Sequence, residues 1–134
     1  MAFRFQAATR HTDTYAATGF VHAGVLLAIT ELAYAAYEKA ANITKPPHIV
    51  AVEVRTRAEY FRPLPWQDGV TVEVSTLAAN LNGFTQAFIL RSSRSDQVVA
   101  RIEHDWTWLD TQTGRSVPLD VATQARLLSL PEPS

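Results

Sequence analysis

One carboxylate interrupts an otherwise uncharged run. In GFVHAGVLLAITELAYAAYEKAAN, residues 19–42, nothing from Ala23 to Tyr37 is charged except Glu31. An ionised carboxylate in apolar surroundings is costly, so such a group is paired, hydrated by a pocket, or protonated. Two readings follow. In one, Glu31 reaches an edge or bonds a hydroxyl such as Thr30, Tyr34 or Tyr37 of another chain. In the other it is a catalytic carboxylate beside an apolar pocket, where its basicity rises toward the working pH. Other chemistries are poorly served. The chain has no cysteine, which removes thiolate nucleophiles, disulfides and Cys-ligated metals. Its four histidines, His11, His22, His48 and His104, show no metal-ligand spacing with acidic partners, so no metal is expected. No Gly-rich phosphate loop, dinucleotide fingerprint or Gly-x-Ser-x-Gly elbow occurs, and no cofactor is expected.

The helix that carries Glu31 is expected from about Ala23 to Ala41, with Asn42 as its C-terminal cap and TKPPH unable to continue it. Apolar residues on nearly every side imply that it is surrounded, without a wet face. Ahead of it, FRFQAAT alternates with a period of two and reads as a short strand, followed by a polar loop from about Arg10 to Thr18. Four alternating runs come after it. In HIVAVEVRTRAEYF, Val50, Val52, Val54, Ala58 and Tyr60 form a mostly apolar face, and Glu53, Arg55, Arg57 and Glu59 share the other. VTVEVSTL, FTQAFILR and VVARIEHDWTWLD complete a set of antiparallel strands, each wet on one side. Asn82-Gly83 is a strong hairpin signal, SSRSDQ and DTQTGR are turn-rich, and RPLPWQDG is a longer link. PLDVATQARLLSL reads as a last helix with Asp120 near its start, and disorder is expected only in the closing PEPS.

The fold class is therefore α+β, one curved antiparallel sheet wrapped around one long central helix. Such a sheet leaves its edges unpaired. Joining sheets across a two-fold axis buries them, so a homodimer or homotetramer is expected. At 134 residues the chain, 1–134, reads as one domain. A formal net charge of -1 gives no basic footprint for nucleic acid. The uncharged run from Gly19 to Thr30 falls short of the about 20 apolar residues of a membrane span. MAFRFQAATR lacks the pattern of a secretory signal, and a cytoplasmic location is expected.

Gly19, His22 and Gly24 stand before or at the helix start, and Glu31 follows nine residues after His22. This pattern resembles the hotdog-fold thioesterases. In their phenylacetate-degradation and 4-hydroxybenzoyl-CoA branches a Gly-x-x-His-Gly-Gly segment opens the helix, and an Asp or Glu lies nine residues beyond the His. The chain departs from that motif at Ala23. Another branch carries its catalytic Asp in a Thr-Asp loop three residues ahead of the Gly; here that position is Ala16, and Asp13 sits three residues further back. The order of elements and FRPLPWQDGVTVEV extend the resemblance over most of the chain.

The resemblance implies hydrolysis of an acyl-CoA, or an acyl-carrier protein thioester, without a cofactor. Such a reaction needs a donor aimed at the carbonyl oxygen and a carboxylate that attacks or activates water. Gly24 N–H is one of the first-turn donors expected to be unpaired, favoured by the helix dipole. Along one helix Gly24 and Glu31 are roughly 10 Å apart, too far to engage one carbonyl, so they are expected to come from different subunits. Asp13 is either a solvated turn residue or the second candidate acid. His22 positions substrate or caps the helix. Arg55, Arg57 and Arg62 could meet the phosphates of coenzyme A or simply decorate a solvated sheet face. His104, Trp106 and Trp108 share a strand face with Ile102 and read as core, or as a wall of the acyl pocket. Two rival functions remain: a binding module that keeps the fold without the chemistry, and a hydratase or dehydratase acting on the acyl chain.

Overall fold

The computed structural model describes residues 3–131, so all of PEPS after Pro131 lies outside the described residues. Strand β1 (Phe3–Ala7) leads through a loop with a 3-10 turn at His11–Asp13 into α1 (Ala23–Ala40). Strands β2 (Ile49–Tyr60), β3 (Val70–Asn80), β4 (Gly83–Ser92) and β5 (Val98–Asp110) follow, then a short β6 (Arg115–Val117) and α2 (Val121–Leu128). The sheet is antiparallel with order β1-β3-β4-β5-β2, and β6 extends it by pairing with the end of β5. β6 falls where only turn residues are apparent in sequence, because three residues carry no readable period.

The ends of α1 follow from local chemistry. His22 is the N-cap, its ring Nδ1 accepting from Gly24 N–H. At the other end Asn42 adopts φ 57°, a left-handed conformation that Asn tolerates. Asn42 N–H donates to Lys39 O and Ile43 N–H to Glu38 O, a Schellman ending that buries Ile43. α2 starts on Asp120, whose carboxylate accepts from Thr123 N–H.

The sheet curls around α1, and irregularities in pairing assist the curl. Register shifts lie between Glu53 and Arg55 in β2, between Thr76 and Ala78 in β3, and between Leu90 and Arg91 where β4 meets β5. An extra residue on one strand bends it and increases its twist. The concave face presents Val72, Val74, Phe88, Leu90 and Ile102, all 0% exposed, to the helix core of Leu26, Ile29, Ala33 and Tyr37. The β3–β4 turn differs from expectation: Asn80 pairs with Gly83, so Leu81 and Asn82 form the turn. Gly83 is required for another reason, since a Cβ there would lie 2.2 Å from Trp106 O.

Candidate active site

The helix is not surrounded by its own chain. Leu26, Ile29, Thr30, Ala33, Tyr34 and Tyr37 are buried, while Gly24, Ala28, Glu31, Leu32, Ala35 and Lys39 stay exposed. Their spacing of three and four residues makes these a single stripe. It is mostly apolar, with Leu32 57% exposed, and Gly24 and Glu31 both lie on it. Within one chain, therefore, the helix keeps an open face, against the expectation that it is surrounded. The sheet covers one side only.

The bulge in β2 determines what meets Glu31. Up to Glu53 the pairs are Ile49 with Asp110, Ala51 with Trp108 and Glu53 with Trp106; beyond it, Thr56 pairs with His104, Ala58 with Ile102 and Tyr60 with Ala100. Trp106, His104 and Ile102 are buried against the helix, and directly paired residues share a face, so Glu53 and Thr56 lie on the concave side together. Uniform alternation would place Glu53 with Arg55 and Arg57; the extra residue, Val54, separates them. A hydrogen bond between the Glu31 and Glu53 carboxyl groups is the main cause that raises the pKa of Glu31 above the usual carboxylate range. Partial burial and the charge of Glu53 add to it.

His104, 3% exposed, ties the layers together beside this pair. Thr30 Oγ1 lies 2.7 Å from its Nε2 and Thr56 Oγ1 2.8 Å from its Nδ1. Thr30 gives its own hydroxyl proton to Leu27 O at 2.6 Å, which leaves Nε2–H as the donor to Thr30; in the neutral ring, which burial favours, Nδ1 then accepts from Thr56. That pattern is the Nε2–H tautomer. Burial lowers the pKa of His104, opposed by the charge of Glu53. Trp106 and Trp108 are core residues like His104, and their indole N–H groups have no hydrogen-bond partner among the described residues.

The start of the helix is occupied. Gly24 N–H donates to His22 Nδ1 at 2.8 Å and Ala23 N–H to Tyr15 Oη at 3.1 Å, so the expectation of an unpaired Gly24 N–H does not hold within one chain. Tyr15 packs on the His22 ring with centroids 4.4 Å apart. Asp13 is near in the backbone, its C=O accepting from His22 N–H at 2.8 Å. Its carboxylate points back into its own turn, accepting from Arg10 N–H at 2.8 Å and from the Arg10 guanidinium at 3.4 Å. These bonds, the backbone one foremost, hold the Asp13 pKa below its ordinary value.

Arg55 and Arg57 lie on the convex face, away from Glu31. Arg55 is 3.9 Å from Asp105, and Arg57 is paired in register with Glu103. Arg62 follows the strand, exposed, and its N–H donates to Val99 O. On the concave side an open cleft of about 360 Å³ runs between α1 and the first half of β2, lined by Ala35, Pro46, Pro47, Ile49 and Ala51 with Glu38 and Lys45. Glu38 is held there by Tyr34 Oη at 2.6 Å and by an ion pair with Lys45. Among the described residues, no group of three or more His, Asp or Glu could hold a metal ion, and no helix is long and apolar enough to cross a membrane.

Residues 7–127 match the family model of the thioesterase-like superfamily. The chain belongs to that superfamily. Its fold is the hotdog fold and its reaction class is thioester hydrolysis, as the motif around Glu31 implies. A 1,4-dihydroxy-2-naphthoyl-CoA thioesterase from Synechocystis superposes with a TM-score of 0.81 at 18% identity, over 97% of this chain and 98% of the other. A thioesterase from Thermus thermophilus, complexed with coenzyme A and Zn, gives a TM-score of 0.77 at 25% identity, over 92% and 90%. A DHNA-CoA thioesterase from Staphylococcus aureus gives 0.81 at 11% identity, over 88% and 80%. No curated protein sequence matches the chain.

Glu53 and Thr56 join the candidate site in the structure without a mark in the sequence. A bulge inside a strand leaves no fixed residue signature, so the change of face at Val54 is invisible to a period-two reading.

Proposed function

We propose that the chain hydrolyses acyl-CoA thioesters at a site formed where two copies meet along the open stripe of α1. The observation that carries this reading is the stripe itself, an uncovered apolar helix face bearing a glycine at the helix start and a carboxylate two turns on. The unpaired edge of β2 lies beside it, with Val54 65% and Tyr60 47% exposed. A second copy docked there covers both. It also brings Gly24 of one subunit to Glu31 of the other, which the separation of roughly 10 Å along a single helix forbids.

In this reading the thioester carbonyl takes the Gly24 N–H in place of His22 Nδ1, and the N-terminal end of the helix stabilises the oxyanion. Glu31 of the partner copy, ionised in the working state, attacks the carbonyl carbon or takes a proton from water. The acyl group lies in the cleft along Ala35, Ile49 and Ala51, one turn beyond Glu31. Coenzyme A as the leaving group is supported by the Thermus relative, which is complexed with coenzyme A. Arg62, at the exposed end of β2, is the candidate for its phosphates; Arg55 and Arg57, on the convex face, are further from the reacting centre.

The test is thiol release from short, long and aryl acyl-CoAs, with no protein cysteine to give background. The wild type is expected to release thiol from at least one class, and Glu31→Gln to lose it. Binding of acyl-CoA without release by the wild type would overturn the catalytic reading in favour of a binding module. Consumption of an enoyl-CoA without release would favour a hydratase.

A further inference from the structure

We infer that Glu53 is a positioning residue for Glu31: the bulge at Val54 turns its carboxyl to the concave face, where the two groups share one proton. The role rests on Glu31 being the working carboxylate, as proposed above. Two placements support the contact. Thr30, next to Glu31, bonds His104, which pairs across the sheet with Thr56. Tyr34, three residues beyond Glu31, stacks on Trp106 at 4.6 Å, and Trp106 pairs with Glu53. The segment 30–34 of α1 is therefore clamped over the two β5 residues whose β2 partners are Glu53 and Thr56, with Glu31 between the clamps.

Among the described residues no cation competes for this proton. From β2 the facing titratable groups are Glu53 and Tyr60, and from β5 His104, neutral in its Thr30 and Thr56 bonds. The concave faces of β1, β3 and β4 present phenylalanines, valines, Thr76 and Gln86. On α1 itself Tyr34 and Glu38 are bonded to each other, Glu38 is paired with Lys45, Tyr37 donates to Leu127 O, and Lys39 lies two turns away. Arg55, Arg57 and Asp105 are on the convex face. Two like charges in contact cannot both ionise freely, so Glu31 keeps its proton to higher pH than it would alone. The effect is to make Glu31 a stronger base once it ionises, nearer the pH at which it works.

The experiment is Glu53→Gln, which keeps size and hydrogen bonding but removes the second negative charge. Two readouts are taken: the Glu31 carboxyl titration by 13C NMR, assigned against Glu31→Gln, and the pH profile of kcat/KM for thiol release. The inference expects the Glu31 midpoint to move down toward the ordinary carboxylate range. The acid limb of kcat/KM should move with it, so that activity in acid rises relative to activity at neutral pH. Glu53→Asp, which retains a charge on a shorter arm, should leave the midpoint above that of Glu53→Gln. An unmoved Glu31 midpoint in Glu53→Gln overturns the inference while leaving the hydrolase reading intact. A midpoint that falls in a protein releasing no thiol supports the shared proton and removes the reaction assigned to it.

Discussion

Asp13 and Glu31 stand on either side of the start of one helix, and their surroundings act on them in opposite directions. Asp13 is bound by the backbone and guanidinium of Arg10 within its own turn, and its pKa is held down. Glu31 meets another carboxyl group and its pKa is pushed up. A carboxylate that is satisfied locally stabilises a loop; one that is poorly satisfied, on an open apolar stripe, is suited to proton transfer or attack. The difference lies in which partner each backbone delivers, a 3-10 turn in one case and a strand bulge in the other.

The sharpest way to break this comparison is to neutralise each group in turn. Glu31→Gln should lower kcat by about 10²–10⁴-fold, the usual contribution of a positioned acid or base, whereas Asp13→Asn should stay within about threefold. The reverse result would move the site to the loop. Next in size is the open stripe: Leu32→Arg buries a charge in any second copy, so sedimentation should show a smaller species, with thiol release falling in parallel while Glu31 is intact. Third, Thr30→Val leaves the His104 Nε2–H buried without its acceptor, and denaturant unfolding should show a loss of about 1–3 kcal/mol.

The smallest effects are in pH dependence, and their signs differ. Asp13 binds its proton more weakly in the folded chain, so it adds stability above the ordinary carboxylate range, lost as pH falls through its lowered value. Glu31 binds its proton more tightly when folded, so stability falls as pH rises from the ordinary range through its raised value. Thermal unfolding of Asp13→Asn should therefore show a small loss at neutral pH that vanishes in strong acid. Glu53→Gln should instead show a small gain at neutral pH that vanishes below the ordinary carboxylate range. Equal slopes in the two variants would erase the contrast.

Much of the frame was legible in the residues. The apolar run before Asn42, the prolines beyond it and the alternating strands define α1, β2, β3, β4 and β5 closely, because each is long enough to show its period. Glu31 stood out as the lone charge in that run. Its partner did not, since alternation assigns Glu53 to the same face as Arg55 and only the unpaired Val54 reverses it. Gly24 was legible as a close-approach residue, but the reach of His22 back to its N–H depends on a side-chain rotamer. Gly83 signals a turn in the sequence and is needed instead for its close approach to Trp106.

The central claim, that one site draws on two copies, is tested most directly by mixing two dead chains. Gly24→Pro removes the N–H within the first helical turn, where proline is tolerated, and Glu31→Gln removes the carboxylate. Each variant alone, shown to fold by circular dichroism, should release no thiol. After co-refolding in equal amounts, half the dimers are mixed and each holds one site with both groups intact, so about a quarter of wild-type activity should return. No recovery from folded, exchanging chains would contradict the account and place Gly24 and Glu31 in separate roles.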